Sequence, residues 1–151
     1  MYYRLYNILG VPTLSTGLYR KGRKYKVSKK KILIVEDEQV LNEAYELILK
    51  KEGYDVKVAY DGQQALDIAN DISPDLILLD LRMPRVSGIE FLSKYELTKK
   101  HPKVKVIVFS NLDTEKEIDQ AYSLGAHKYM LKAWASPKEL VKLVNNTLAD
   151  S

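Results

Sequence analysis

Four apolar runs each stop abruptly on a charged or hydroxyl residue, and no other feature so narrows what this chain can fold into. Ile32-Leu33-Ile34-Val35 meets Glu36-Asp37, and Leu76-Ile77-Leu78-Leu79 meets Asp80. Val104-Lys105-Val106-Ile107-Val108-Phe109 meets Ser110, and Lys128-Tyr129-Met130-Leu131 meets Lys132. Runs of this length and composition read as strands buried on both faces of a parallel sheet. Open α/β sheets bind their ligands at the carboxyl ends of the strands. Such a fold gathers three carboxylates, a hydroxyl and an ammonium at one edge, a group suited to a divalent cation and a transferable anion.

The rest of the chain from residue 31 alternates strand and helix signals five times, as a doubly wound α/β sheet requires. Val40, Leu41, Ala44, Leu47 and Ile48 recur at helical spacing, and Gly53 follows Lys50 and Lys51 as at a helix C-terminus. Val56–Ala59 reads as a short second strand, with Asp61 as N-cap of the helix through Ala65, Leu66 and Ala69. Ser87 and Glu90 form a capping box before Ile89, Leu92 and Tyr95. Ile118, Ala121 and Tyr122 mark a fourth helix closed by Gly125. Ser136, Pro137 and Glu139 open a fifth, with proline at its first position.

Composition removes several function classes. The 151 residues include no cysteine, so disulfides, thiolate zinc sites and thiol nucleophiles are excluded. His101 and His127 are the only histidines and have no partner at metal-ligand spacing. No apolar run reaches the roughly 20 residues that span a bilayer, and the N-terminus lacks signal-peptide order. A cytoplasmic location is expected.

The net charge of +4 conceals two opposed parts. Residues 1–31 hold 9 Lys/Arg and no Asp/Glu, whereas residues 32–151 hold 15 Lys/Arg against 20 Asp/Glu. The expected division is a basic, flexible N-terminal tail over 1–29 and a domain over 30–149.

Residues 31–149 resemble the receiver domain of two-component response regulators. The resemblance rests on Ile32–Asp37, on Asp75-Leu76-Ile77-Leu78-Leu79-Asp80-Leu81-Arg82-Met83-Pro84, on Ser87-Gly88, on Ser110 and on Lys128–Lys132. It implies a flavodoxin-like α/β fold, a doubly wound five-stranded parallel sheet in the order 2-1-3-4-5 with helices on both faces. It also implies a Mg²⁺-dependent protein that takes a phosphoryl group on Asp80 from a histidine kinase or phosphotransfer protein. Such a protein catalyses its own phosphorylation and dephosphorylation, yet is best described as a signalling protein.

The roles follow residue by residue. Asp37 and Asp80 are the expected direct Mg²⁺ ligands, Glu36 acts largely through water, and the backbone carbonyl of Arg82 completes the protein's ligand set. Lys132 supplies positive charge to the transferred group and the Ser110 hydroxyl bonds one of its oxygens. Ser110 and Tyr129 form the implied switch, the ring turning inward as the hydroxyl moves toward phosphate. Downstream proteins, or a second copy, are expected on the face from Asp113 to Leu148. Few residues follow the last helix, so a single-domain, chemotaxis-regulator-like protein without its own output domain is expected.

Two positions depart from the family pattern: Ala133 stands where proline usually follows the lysine, and Asn111 where a small residue usually follows the hydroxyl. Neither removes a reacting group. Competing readings are a pseudo-receiver that binds partners without taking phosphate, and a protein acting through its tail. There Tyr2, Tyr3, Tyr6, Tyr19 and Tyr25 interleave with Arg4, Arg20, Lys21, Arg23, Lys24 and Lys26. That mixture suits nucleic acid or an anionic membrane, and equally a leader with no role of its own.

Overall fold

The structure is a computed structural model that describes residues 18–20, 23–25, 28–111 and 114–150. Within the segment expected to be a tail, Leu18–Arg20 (β1) pairs antiparallel with Arg23–Tyr25 (β2).

Among the described residues, hydrogen bonds to the main sheet start at Lys30 and Lys31. The Lys30 carbonyl accepts from the Asp55 N–H at 2.9 Å, and the Lys31 N–H donates to Asp75 Oδ2 at 2.7 Å. From there the order is β3 (Lys31–Val35), α1 (Gln39–Lys51), β4 (Asp55–Ala59), α2 (Gly62–Ile72) and β5 (Leu76–Leu79). It continues with α3 (Gly88–Tyr95), α4 (Leu97–Lys100), β6 (Lys105–Ser110), α5 (Glu115–Ser123), β7 (Lys128–Leu131), a 3₁₀ turn (Lys132–Trp134) and α6 (Pro137–Ala149).

The five domain strands form one parallel sheet in the order β4-β3-β5-β6-β7. Numbered among themselves, that is the expected 2-1-3-4-5. Side chains alternate across each strand, so the central strands feed two separate cores. Leu33, Val35, Ile77, Leu79, Val106 and Val108 pack with Ala65, Ala69, Phe91, Leu92 and Ala121 on one face. Ile32, Ile34, Leu76, Leu78, Ile107 and Phe109 pack with Leu49, Leu140 and Val144 on the other. Burial on both faces is why these strands read as unbroken apolar runs. Each such side chain contributes about 1.5–3 kcal/mol of burial.

Helix starts follow their chemistry. Asp61 Oδ1 accepts from the Gln64 N–H at 2.9 Å, and capping boxes at Ser87/Glu90 and Ser136/Glu139 form as expected. A third box, Thr114/Glu117, opens α5. One local expectation needs correction. Val40 and Leu47 face solvent, 79% and 57% exposed, while α1 buries Asn42 and Leu49 instead. The third helix ends with Tyr95, the last residue expected in it; Glu96, with a φ of 51°, then restarts the chain as α4, which buries Leu97.

Candidate functional site: an acidic cluster with an inserted lysine

The sheet register delivers the site. Val35 lies beside Leu79, so Glu36 and Asp80 leave β3 and β5 side by side. The Asp80 N–H donates to the Val35 carbonyl at 3.0 Å, and the Glu36 N–H to the Ala59 carbonyl at 3.1 Å. Carboxylate oxygens of Glu36, Asp37 and Asp80 all lie within 4.8 Å of one another. Glu36 and Asp80 are buried, and Asp37 is half-buried.

Each oxygen of Asp80 has its own partners. Oδ1 accepts from the Ser110 hydroxyl at 2.7 Å and from the Arg82 N–H at 3.0 Å. Oδ2 accepts from Lys132 Nζ at 2.7 Å. The same ammonium is paired with Glu36 Oε2, and the Lys132 side chain is only 8% exposed. Glu36 Oε1 accepts from the Glu38 N–H at 3.1 Å. Ser110, expected just past its strand, is the last residue of β6, and Lys132 is the first residue of the 3₁₀ turn.

Charge shapes these groups. Burial pushes the Glu36 carboxyl above its usual value, against the pull of Lys132 and the Glu38 N–H. Burial draws the Lys132 ammonium down, but its hydrogen bonds to Asp80 and Glu36 outweigh that and hold it above the ordinary lysine value. Lys132 is therefore a fixed cation. Three clustered carboxylates against one ammonium leave an excess of negative charge. An all-oxygen donor set of this kind fits a hard divalent cation such as Mg²⁺.

The supporting shell was only partly foreseen. Asn42, fully buried, donates through Nδ2 to the carbonyls of Glu36 at 2.9 Å and Ala59 at 3.1 Å, fastening the β3–α1 loop to β4. Asn42 lies off the repeat of Val40, Leu41, Ala44, Leu47 and Ile48, so nothing in the sequence marks it. The Arg82 guanidinium meets Glu117 Oε2 at 3.2 Å, joining the loop after β5 to the first turn of α5. Gly88 is dictated by close approach, because a Cβ there would stand 2.3 Å from the Asp80 carbonyl oxygen. Tyr129 sits on β7 opposite Val108, half-buried against the core on the α3 and α5 side. The structure thus brings Glu36, Asp37, Asp80, Ser110 and Lys132 together. It adds the backbone of Arg82, through its N–H, to the same carboxylate. Of the expected downstream face, Asp113 lies outside the described residues.

Comparison with known proteins agrees with this geometry. Residues 32–145 match the response regulator receiver domain. A "probable transcriptional regulator ycf29" of Pyropia yezoensis is 34% identical over 119 residues, covering 79% of this chain and 53% of that protein. The chain thus spans about half the length of this curated relative. Among solved structures, a CheY-like response regulator receiver domain protein of Methanospirillum hungatei JF-1 is 27% identical with a TM-score of 0.76, over 82% of this chain and 96% of that one. The receiver domain of the Francisella response regulator 1452 is 29% identical with a TM-score of 0.71, over 81% and 98%. Family match, sheet order and strand-end cluster converge, and the chain belongs to the response regulator receiver domain family.

Proposed function

We propose that Asp80 accepts a phosphoryl group from a phosphohistidine of a sensor kinase or phosphotransfer protein, and that the acyl phosphate changes the surface offered to partners. The observation that carries this reading is the division of labour at the Asp80 carboxylate: hydroxyl and backbone N–H on one oxygen, buried ammonium on the other. One Asp80 oxygen attacks phosphorus as the P–N bond of the donor breaks, and the histidine nitrogen leaves with the electron pair. Phosphoryl transfer asks the protein for alignment and charge neutralisation more than for covalent chemistry. Lys132, already charged and desolvated, meets negative charge gathering on the transferred oxygens without reorganising. The Ser110 hydroxyl, on Asp80 Oδ1 at 2.7 Å, can turn its proton toward a phosphoryl oxygen.

Mg²⁺, held by Asp37, Asp80, the Arg82 carbonyl and, through water, Glu36, would supply neutralising charge for both carboxylate and phosphoryl oxygens. Ser110 and Tyr129 are proposed to relay the event along β6 and β7 to α5 and α6. Tyr122 on α5 and Trp134 in the 3₁₀ turn stand 45% and 76% exposed there, ready for a downstream protein or a second copy.

Incubation with Mg²⁺ and acetyl phosphate tests this reading by intact mass. The parent is expected to gain one phosphate and the Asp80→Asn variant none. A parent that gains nothing, or a variant that gains at the parental rate, would overturn it.

A further inference from the structure

The two positions that depart from the family pattern meet in space. β6 and β7 end level, with Ser110 opposite Leu131, so Asn111 and Lys132 leave the sheet together. The chain then enters the 3₁₀ turn Lys132–Trp134, closed by the Ala135 N–H on the Lys132 carbonyl at 3.2 Å. The first N–H groups of any such turn have no partner inside it. Leu131, which precedes the turn, carries no side-chain oxygen and makes no cap. The cap comes from the neighbouring strand: Asn111 Oδ1 accepts from the Ala133 N–H at 3.0 Å. A proline at 133 would have no N–H to offer, so this bond depends on both departures at once.

The bond closes a ring around the acceptor carboxylate. Asp80 Oδ1 bonds Ser110, Ser110 is followed by Asn111, Asn111 holds Ala133, and Ala133 follows Lys132, whose ammonium returns to Asp80 Oδ2. The loop that carries the ammonium is therefore tethered to the strand that carries the hydroxyl. We propose that Asn111 is a positioning residue that sets Lys132 against Asp80 by capping the Lys132–Trp134 turn through the Ala133 N–H. This role rests on the phosphoacceptor reading above. Asn111 does not touch the acceptor in this arrangement; it acts through the backbone one residue beyond the lysine. Its effect belongs on the rate of transfer, since displacing a catalytic group by a fraction of an ångström slows a reaction that relies on alignment.

A double-substitution cycle tests it: phosphorylation by saturating acetyl phosphate with Mg²⁺, followed by intact mass, in the parent, Asn111→Ala, Ala133→Pro and the double variant. Asn111→Ala is expected to slow the parent by roughly three- to tenfold, the scale of one lost hydrogen bond, with little change in melting temperature because both groups are exposed. In the Ala133→Pro background, where no N–H remains to be capped, the same substitution should change the rate by less than about twofold. Equal slowing in both backgrounds would show Asn111 acting by another route and overturn the proposal, as would no slowing in the parent. Amide exchange at Ala133 gives a second reading that needs neither phosphate nor proline. Asn111→Ala should accelerate exchange there, whereas Asn111→Asp, which keeps an acceptor oxygen, should not. Unaltered exchange in Asn111→Ala would overturn the cap. A parent that takes no phosphate would refute the phosphoacceptor reading itself, an outcome visible before any variant is compared.

Discussion

Lys132 shows how a single residue can be both costly and necessary. Its ammonium lies among Glu36 and Asp80 with 8% of its side chain exposed, where an unpaired charge would be heavily penalised. Two carboxylates offset that desolvation and keep it protonated, so the residue is a permanent point of positive charge rather than a proton carrier. His127, at the opposite end of β6, is a residue with a pH-dependent consequence. Its Nδ1 accepts from the Val106 N–H at 3.1 Å, a bond only the neutral ring can accept. Partial desolvation of this largely exposed ring, helped by nearby Lys105, holds the imidazole below its usual value of 6.5. The unfolded chain therefore takes up a proton at higher pH than the folded one. The stabilisation is complete above about 6.5 and is lost as pH falls from there toward the folded value. Chemical denaturation between pH 8 and pH 5 (roughly the window in which histidine titrates) should show this decline, and His127→Gln should flatten it. An equal decline in the variant would place the pH dependence elsewhere.

At the scale of elements, what could be read in advance follows from how many partners a residue has to choose among. A strand buried on both faces tolerates only apolar side chains, so β3, β5 and β6 stand out as runs, and the polar residue at each end is conspicuous. Ser87 and Ser136 cap their own helices three residues away, a local bond that needs no tertiary structure. The sequence singles out Arg82 and Asn111 but not the side-chain partners of Asn42, Arg82 and Asn111, which lie 6–35 positions distant. Their side chains are equally at home on a solvated surface. The short α4 after Glu96 has no side-chain cap and no repeat to mark it in the sequence, yet it buries Leu97. Gly88 is the sharpest case of an element placed by one atom. A methyl group at 88 would meet the Asp80 carbonyl oxygen at 2.3 Å and the Leu81 Cα at 2.7 Å, both backbone. Gly88→Ala should cost about 1–3 kcal/mol and, by moving the backbone of Asp80, also slow phosphorylation. Thermal melts and intact-mass kinetics check the pair. A variant as stable and as fast as the parent would show that α3 does not need this approach.

Across the whole molecule, charge and topology divide the labour. The sheet gathers an acidic site at one edge, while the basic residues 1–30 precede the first domain strand. Among the described residues, backbone ties to the sheet begin at Lys30 and Lys31. Deleting residues 1–28 is therefore expected to leave phosphorylation within a few-fold of the parent and to weaken any salt-sensitive binding to nucleic acid or anionic vesicles. Gel-shift and vesicle co-sedimentation assays across a salt series would measure the second effect. A truncated chain that fails to fold would make the segment part of the domain. Everything else in the account depends on Asp80 being the group that carries phosphate, since Glu36 and Asp37 are carboxylates in the same cluster. Borohydride reduces an acyl phosphate to an alcohol, converting a phosphorylated aspartate to homoserine. Treating the protein with borohydride after Mg²⁺ and acetyl phosphate, then mapping its peptides by mass, should find homoserine at position 80 alone. Homoserine at position 37, the corresponding alcohol at Glu36, or no reduced residue in the cluster would contradict the account.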